Sequence, residues 1–220
     1  MSRPSRNVDQ LLIQAALELM SEAGVRALSI RQVAERAGVN LGMFHYHFKT
    51  KDAFVRAVLQ QTYDGMFGAL EIESHRFAST LENLRAALNV LARFGRDHRL
   101  LLVRLLGDAL GGEVVAAEFL KANLPRHVSV LTALIIQAQK ESMLRRIALP
   151  QAFVFLGGSI IVPILMGTAA ISAGLAPALF AEALEKTVFT DAAIAERIDL
   201  ALAGLAITAD SGRRKSGVKK

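Results

Sequence analysis

Residues 29–51 constrain the fold more than any other part of the chain, because their pattern predicts two short helices separated by a tight turn. Apolar residues recur at helical spacing over residues 30–37 and give the first helix one apolar face. Ser29, with Gln32 three residues later, fits a capping box at the start of this helix. Gly38 follows the last periodic residue, where a left-handed backbone ends a helix without steric cost.

A second short helix is expected after a three-residue turn. Asn40 is a favourable N-cap for it, and Phe44 and Phe48 lie four residues apart on one side. The residues that point the other way are Gly42, Met43, His45 and Tyr46. This arrangement is typical of a helix-turn-helix unit, whose second helix enters the DNA major groove while the first crosses the backbone. The alternative is a small helical bundle whose outward residues are only solvated.

Candidate DNA contacts follow from the helix-turn-helix interpretation. Arg31, on the exposed side of the first helix, suits bidentate recognition of guanine, and Gly42 allows close approach to the DNA. Lys49 and Lys51 are placed to bind phosphate oxygens. The predicted DNA-binding residues are Ser29, Arg31, Asn40, Leu41, Gly42, Met43, His45, Tyr46, His47, Lys49 and Lys51.

Several short motifs occur together within residues 10–59. They are Ala15-Ala16, Leu19, Ala23-Gly24, the run from Leu28 to Ala34, the run from Ala37 to Asn40, Gly42, Phe44, His47-Phe48 and Lys51-Asp52. This combination resembles the N-terminal DNA-binding domain of TetR-type (TetR/AcrR) transcriptional regulators. His45 departs from the family pattern, which usually has tyrosine at that position. The resemblance implies a homodimeric, one-component repressor whose C-terminal domain binds a ligand and dimerises.

The positive charge of the chain is concentrated at its two ends. The 220 residues carry a formal net charge of +6. Residues 1–51 contain seven Lys/Arg and four Asp/Glu. Residues 52–209 contain fourteen Lys/Arg and fifteen Asp/Glu, and residues 210–220 contain five Lys/Arg and one Asp/Glu. A basic end on a near-neutral body suits contact with nucleic acid. A short basic arm at Ser2–Arg6 either reaches the DNA backbone or is a disordered terminus, and the basic tail is either disordered or adds non-specific DNA affinity.

The chain is predicted to be all-α. Residues 1–51 are expected to form an N-terminal three-helix helix-turn-helix DNA-binding domain, residues 52–209 a helical ligand-binding and dimerisation domain, and residues 210–220 a basic disordered tail. The helices expected in the second domain cover about 52–77, a segment capped by Thr80, 98–110, 113–143 and 191–209. Pro125 is expected to interrupt the 113–143 helix, because proline cannot continue an interior hydrogen-bond ladder.

The segment Ile147–Ala181 contains no charged residue. A membrane span needs about 20 apolar residues, so the length of this segment permits one. Pro150, Pro163 and Pro177 interrupt it, and a helix that is apolar all round also suits a large core or an interface. The family resemblance favours a homodimer interface through about 150–173 and 191–209, with the membrane protein kept as a rival interpretation.

A small-molecule site is expected among the middle helices, lined by apolar residues with a few polar groups. The candidate ligand-binding residues are Phe94, Arg104, Asp108, Phe119, Gln137, Glu141, Phe153 and Met166. Each has the alternative interpretation of an ordinary surface, salt-bridged or core residue. A basic cluster lies at Arg93, Arg96, His98 and Arg99. This cluster either binds an acidic inducer or is a solvated helix end.

Catalysis finds no support in the sequence. We find no glycine-rich phosphate loop, nucleophile elbow or metalloprotease histidine pair, and His45 and His47 are two residues apart, too far round a helix to share a metal. No cofactor is expected.

The chain lacks cysteine, which is compatible with the cytoplasm, and Leu11–Ile13 is too short for a secretory signal. The sequence thus predicts a DNA-binding regulator released from a pseudo-palindromic operator by a mostly apolar inducer, with an orphan regulator as the alternative.

Overall fold

The computed structural model describes residues 5–207, and within that range the all-α prediction is confirmed. The helices are α1 (Ser5–Ala23), α2 (Ile30–Ala37), α3 (Leu41–His47), α4 (Lys51–Glu73), α5 (Thr80–Asp97), α6 (Arg99–Leu110), α7 (Val114–Lys140), α8 (Leu149–Ser172), α9 (Ala178–Thr187) and α10 (Asp191–Leu205). Most of the predicted basic arm at Ser2–Arg6 and the whole predicted tail at 210–220 lie outside the described residues.

The helix ends near the turn follow the local signals, with one exception. Gly38 ends α2 in the left-handed conformation, with φ of 67°, and the Asn40 side chain accepts a hydrogen bond from the backbone of Gly42 at the start of α3. Ser29 occupies the N-cap of α2, but its side chain makes no capping hydrogen bond, so the capping-box prediction is wrong. Farther along, Ser79 rather than Thr80 caps α5.

Helix α7 runs through Pro125 without a break, so the predicted interruption is wrong. An interior proline costs about 3 kcal/mol or more, because it removes one hydrogen bond and crowds the preceding turn. Packing of α7 against α4, α5 and α6 offsets that cost. The hydroxyl of Tyr63 in α4 also donates a 2.8 Å hydrogen bond to the backbone oxygen of Asn123, just before the proline.

The charge-free segment forms one long helix and part of a second. Gly174, with φ of 68°, and Pro177 separate α8 from α9. Helix α8 is long and apolar enough to cross a membrane by length and composition, and 22% of its most apolar stretch is buried within the chain. The core helix of a soluble protein meets the same criterion. In this fold α8 packs against α5, α6, α9 and α10.

Two apolar cores organise the described residues. The larger core joins α4, α5, α7, α8 and α10. The smaller core lies under α1 to α3, and it also takes Phe54 and Val58 from α4, Leu101 and Leu105 from α6, and Val115 from α7. The N-terminal helices are therefore seated on α4, α6 and α7 rather than hanging from a linker.

Candidate DNA-binding surface and ligand cavity

Helix α3 buries its aromatic side and exposes the opposite side. Phe44 is 1% exposed and packs edge-on against Phe54 of α4, with ring centroids 5.0 Å apart. Tyr46 is 81% exposed. Leu41, Gly42 and His45 are also exposed, and Met43 is half-buried. Most of the predicted α3 contacts thus share one accessible surface, as the sequence led us to expect.

The predicted basic contacts lie on α2, on the turn after α3 and at the start of α4. Arg31 in α2 is exposed and forms a 3.0 Å ion pair with Glu35, one turn away on the same helix. Such an exposed pair contributes little to stability, so the guanidinium is free to change partner. Lys49 is exposed. The ammonium of Lys51 donates a 3.1 Å hydrogen bond to the backbone oxygen of Arg26, so this lysine also supports the turn between α1 and α2.

His47 is turned away from the exposed side of α3. Its Nδ1 atom lies 2.7 Å from a carboxylate oxygen of Asp9 in α1, and its side chain is only 10% exposed. The imidazole therefore lies against α1, and this geometry does not support its predicted contact with DNA. Ser29 lies at the start of α2 and Asn40 at the start of α3. The side-chain oxygen of Asn40 accepts the capping hydrogen bond of α3.

A large apolar cavity lies in the body, between α4, α5, α6, α7 and α8. Its volume is about 420 Å³, within the range of about 300–1,000 Å³ usual for small-molecule sites. Leucine, isoleucine and phenylalanine side chains form most of its wall. The polar residues in the wall are Thr62, Tyr63, Asn123 and His127. None of the described lining residues carries a fixed charge.

Three of the predicted ligand residues line this cavity, namely Phe94, Phe119 and Phe153. The other five do not, and each has a different environment. Asp108 binds the backbone of Val25, Gln137 pairs with Glu141 on the surface, and Arg104 and Met166 are exposed. The structure does not bring these five residues to the cavity, because helical spacing alone did not show which way each side chain faces.

The basic cluster near the end of α5 is engaged within the chain. Arg96 pairs with Asp97 and Asp191, and Arg99 pairs with Glu185 at 3.0 Å. None of the cluster's residues lines the cavity. The alternative of an acidic inducer held by this cluster therefore finds no support in the geometry.

The polar side of the cavity was missed by sequence reasoning. Tyr63 and His127 are close, with the phenol oxygen 3.2 Å from Nδ1 of His127. Burial raises the pKa of Tyr63, an effect that the nearby charge of Arg126 partly opposes. Burial lowers the pKa of His127 and so favours its neutral form. The signal that could have found His127 is its helical spacing from Leu131, four residues later on the same apolar face.

Helix α8 leaves an apolar face uncovered. Val154, Val162 and Met166 on this helix are 76%, 48% and 63% exposed, and Leu200 on neighbouring α10 is 65% exposed. Large apolar side chains exposed on neighbouring helices are typical of interaction sites. In the same region, two guanidinium nitrogens of Arg197 are shielded from solvent and have no hydrogen-bond partner among the described residues.

Comparisons with known proteins agree with this architecture. The family model for bacterial regulatory proteins of the tetR family matches residues 12–58. The transcriptional repressor KstR2 of Mycolicibacterium smegmatis is 34% identical over 83 residues, which are 38% of this chain and 40% of that protein. The probable transcriptional regulator YttP of Bacillus subtilis is 22% identical over 156 residues, 70% of this chain and 75% of that one. The match to KstR2 therefore spans about two fifths of that relative's length.

Similarity of fold extends over nearly the whole chain. A putative fatty acid metabolism regulator from Clostridium perfringens superposes with a TM-score of 0.69 and 16% identity, covering 90% of this chain and 100% of that one. An exposed recognition helix on an all-α body defines the class of helix-turn-helix proteins. More particularly, residues 12–58 match the model of the tetR family of bacterial regulatory proteins, and the chain as a whole is similar in fold to solved regulators.

Proposed function

We propose that this protein is a dimeric transcriptional repressor, which leaves a pseudo-palindromic operator when a small, mostly apolar inducer fills its cavity. The observation that carries the proposal is the exposed side of α3, held rigid by Phe44 within a domain that matches the tetR family model. In such a unit the N-terminal residues of the recognition helix meet base edges. The predicted DNA contacts other than His47 lie on α3 itself or on the chain segments next to it. We also propose that the protein acts in the cytoplasm, without catalytic activity.

A second copy of the chain is the proposed occupant of the exposed face of α8 and α10. The family resemblance and the exposed apolar residues of α8 and α10 support this assignment. A partner subunit would cover these apolar residues. Two-fold symmetry would then present two copies of α3 to half-sites about one helical turn apart or more.

Helix α4 is the proposed route of signal transmission. It begins at Lys51, beside the recognition helix, and it carries Leu59, Tyr63 and Met66 into the wall of the cavity. A ligand that fits the cavity better when α4 is tilted would favour that tilted state. The tilt would change the distance between the two copies of α3 in the dimer. Only a difference in affinity between the two states can produce this release.

Selection of bound fragments from random DNA duplexes, with purified protein at low salt, tests the proposal. We expect enrichment of an inverted repeat, because a symmetric dimer reads both half-sites alike. Enrichment of no sequence would overturn the proposal. An orphan regulator would bind the same repeat yet show no shift of melting temperature with any apolar compound. A membrane protein would require detergent to remain in solution.

A further inference from the structure

At the polar end of the cavity, we can deduce which group donates and which group accepts in each hydrogen bond. The phenol of Tyr63 carries a single proton, and its oxygen lies 2.8 Å from the backbone oxygen of Asn123. A carbonyl oxygen can only accept, so the phenol must donate its proton to Asn123. The phenol oxygen then has only lone pairs to offer to any other neighbour.

That arrangement fixes the tautomer of His127. Its Nδ1 atom lies 3.2 Å from the same phenol oxygen. Because the phenol proton is already used, the Nδ1 atom must carry the hydrogen that joins the two rings. Burial lowers the pKa of His127, so its second nitrogen, Nε2, is unprotonated at neutral pH. Nε2 is therefore a hydrogen-bond acceptor.

No hydrogen bond joins Nε2 to another group among residues 5–207, and Nε2 is not one of the nitrogens that the fold shields from solvent, so a ligand can reach it. His127 is part of the cavity wall, where apolar side chains surround it. A hydrogen bond to an acceptor is stronger in such surroundings than in water. The other polar groups of the wall are already engaged, since Thr62 donates to the backbone oxygen of Val58 and Asn123 bonds Gln60 and Phe119.

We propose that the cavity selects an uncharged, largely apolar molecule that carries one hydrogen-bond donor, such as an aliphatic alcohol, and that Nε2 of His127 accepts its hydrogen bond. This inference rests on the proposed inducer cavity and names the class of ligand. Carboxylates are disfavoured twice over, because Nε2 repels an acceptor and no described wall residue supplies a positive charge.

Binding of 1-decanol, 1-fluorodecane and decanoate to the full-length protein tests this proposal by calorimetry. The fluoride matches the alcohol in shape but cannot donate a hydrogen bond. His127→Leu removes the acceptor, and His75→Leu is the matched control, since it is the same substitution at an exposed histidine outside the cavity wall. We expect the ratio of alcohol affinity to fluoride affinity to fall about tenfold in His127→Leu, the loss of one hydrogen bond, and to stay unchanged in His75→Leu. Decanoate should bind wild type at least about tenfold more weakly than decanol.

Continued binding of 1-fluorodecane to His127→Leu shows that the variant keeps its cavity. An alcohol-to-fluoride ratio that is equal in wild type and His127→Leu would overturn the proposal, as would tighter binding of decanoate than of decanol. Failure of all three probes to bind wild type would also overturn it. Because these measurements contain no DNA, they are independent of operator binding, whose failure would instead refute the proposed function.

Discussion

The carboxylate of Asp108 in α6 lies 2.6 Å from the backbone nitrogen of Val25, and so it binds the turn that joins α1 to α2. The same oxygen accepts a second hydrogen bond, of 3.2 Å, from the backbone of Arg26. Charge-assisted hydrogen bonds of this kind are stronger than neutral ones. Asp108 thereby ties the DNA-binding helices to the body that holds the cavity.

The first prediction concerns Gly24, which precedes this turn with φ of +88°. A Cβ atom there would lie 2.5 Å from the Asp108 carboxylate, so Gly24→Ala should lower the free energy of unfolding by more than about 1 kcal/mol. Urea unfolding measures the change. Gly65→Ala is the control, because Gly65 lies inside α4 with open space around it and should gain about 0.5–1 kcal/mol. Equal effects of the two substitutions would refute the role given to the turn.

The second prediction concerns Arg31. Replacement by alanine should cost about 1–3 kcal/mol of operator affinity and relax base preference at one position, because a bidentate contact to guanine is lost. Affinities for a panel of single-base operator variants provide the measurement. Arg76→Ala removes a similar exposed ion pair at the end of α4 and should leave the profile unchanged. An unaltered profile in Arg31→Ala would exclude base recognition by this side chain.

The third prediction concerns the exposed face of α8. Met166→Glu should raise the dimer dissociation constant at least about tenfold, because the interface would bury an unpaired carboxylate. Sedimentation velocity over a range of concentrations measures the constant. Ile72→Glu is the control, since Ile72 is 69% exposed against 63% for Met166 but lies at the end of α4. A dimer that tolerates Met166→Glu would place the interface elsewhere.

The fourth prediction concerns pH. Burial lowers the pKa values of His98 and His127 in the folded state, although the charge of Asp97 partly opposes the effect on His98. The unfolded chain binds these protons near its ordinary histidine pKa of about 6.5, before the folded protein does. Stability is therefore complete above about pH 6.5 and decreases as the pH falls toward the lowered folded values.

Urea unfolding at about pH 7.5 and about pH 5.5, at one protein concentration, measures this dependence. Wild type should be less stable at the lower pH, and the double variant His98→Gln, His127→Gln should lose most of the difference. The carboxylates with lowered pKa values titrate below this window and do not interfere; they are Glu22, Asp64, Glu141 and Asp191. A wild-type protein with the same stability at both pH values would contradict the assignment.

The helix-turn-helix unit could be predicted because its signals are local. Gly38 ends one helix and Asn40 caps the next through contacts within a few residues. The direction of Phe44 follows from helical spacing alone. Capping was less predictable, since Ser29 has the right identity and position but forms no capping bond.

The lining of the cavity was harder to predict, because it depends on which helices pack against one another. Asp108 and Glu141 both lie among apolar neighbours in sequence, yet one binds a backbone turn and the other pairs with Gln137 on the surface. Tyr63 and His127 are 64 residues apart, and only the packing of α4 on α7 brings them together. The prediction that Pro125 interrupts α7 was wrong for the same reason. Tertiary contacts offset the free-energy cost of a proline inside the helix.

The shared N-terminal core has a consequence for protein engineering. Leu101 and Leu105 of α6 and Val115 of α7 complete the packing beneath α1 to α3. A hybrid sensor that transplants only residues 1–51 onto a foreign body would therefore expose this underside and lose the anchor at Asp108. A successful graft has to include the surface of α6 that packs against α1 to α3. The segments to be exchanged are therefore chosen by which residues pack together, and not by a single cut in the sequence.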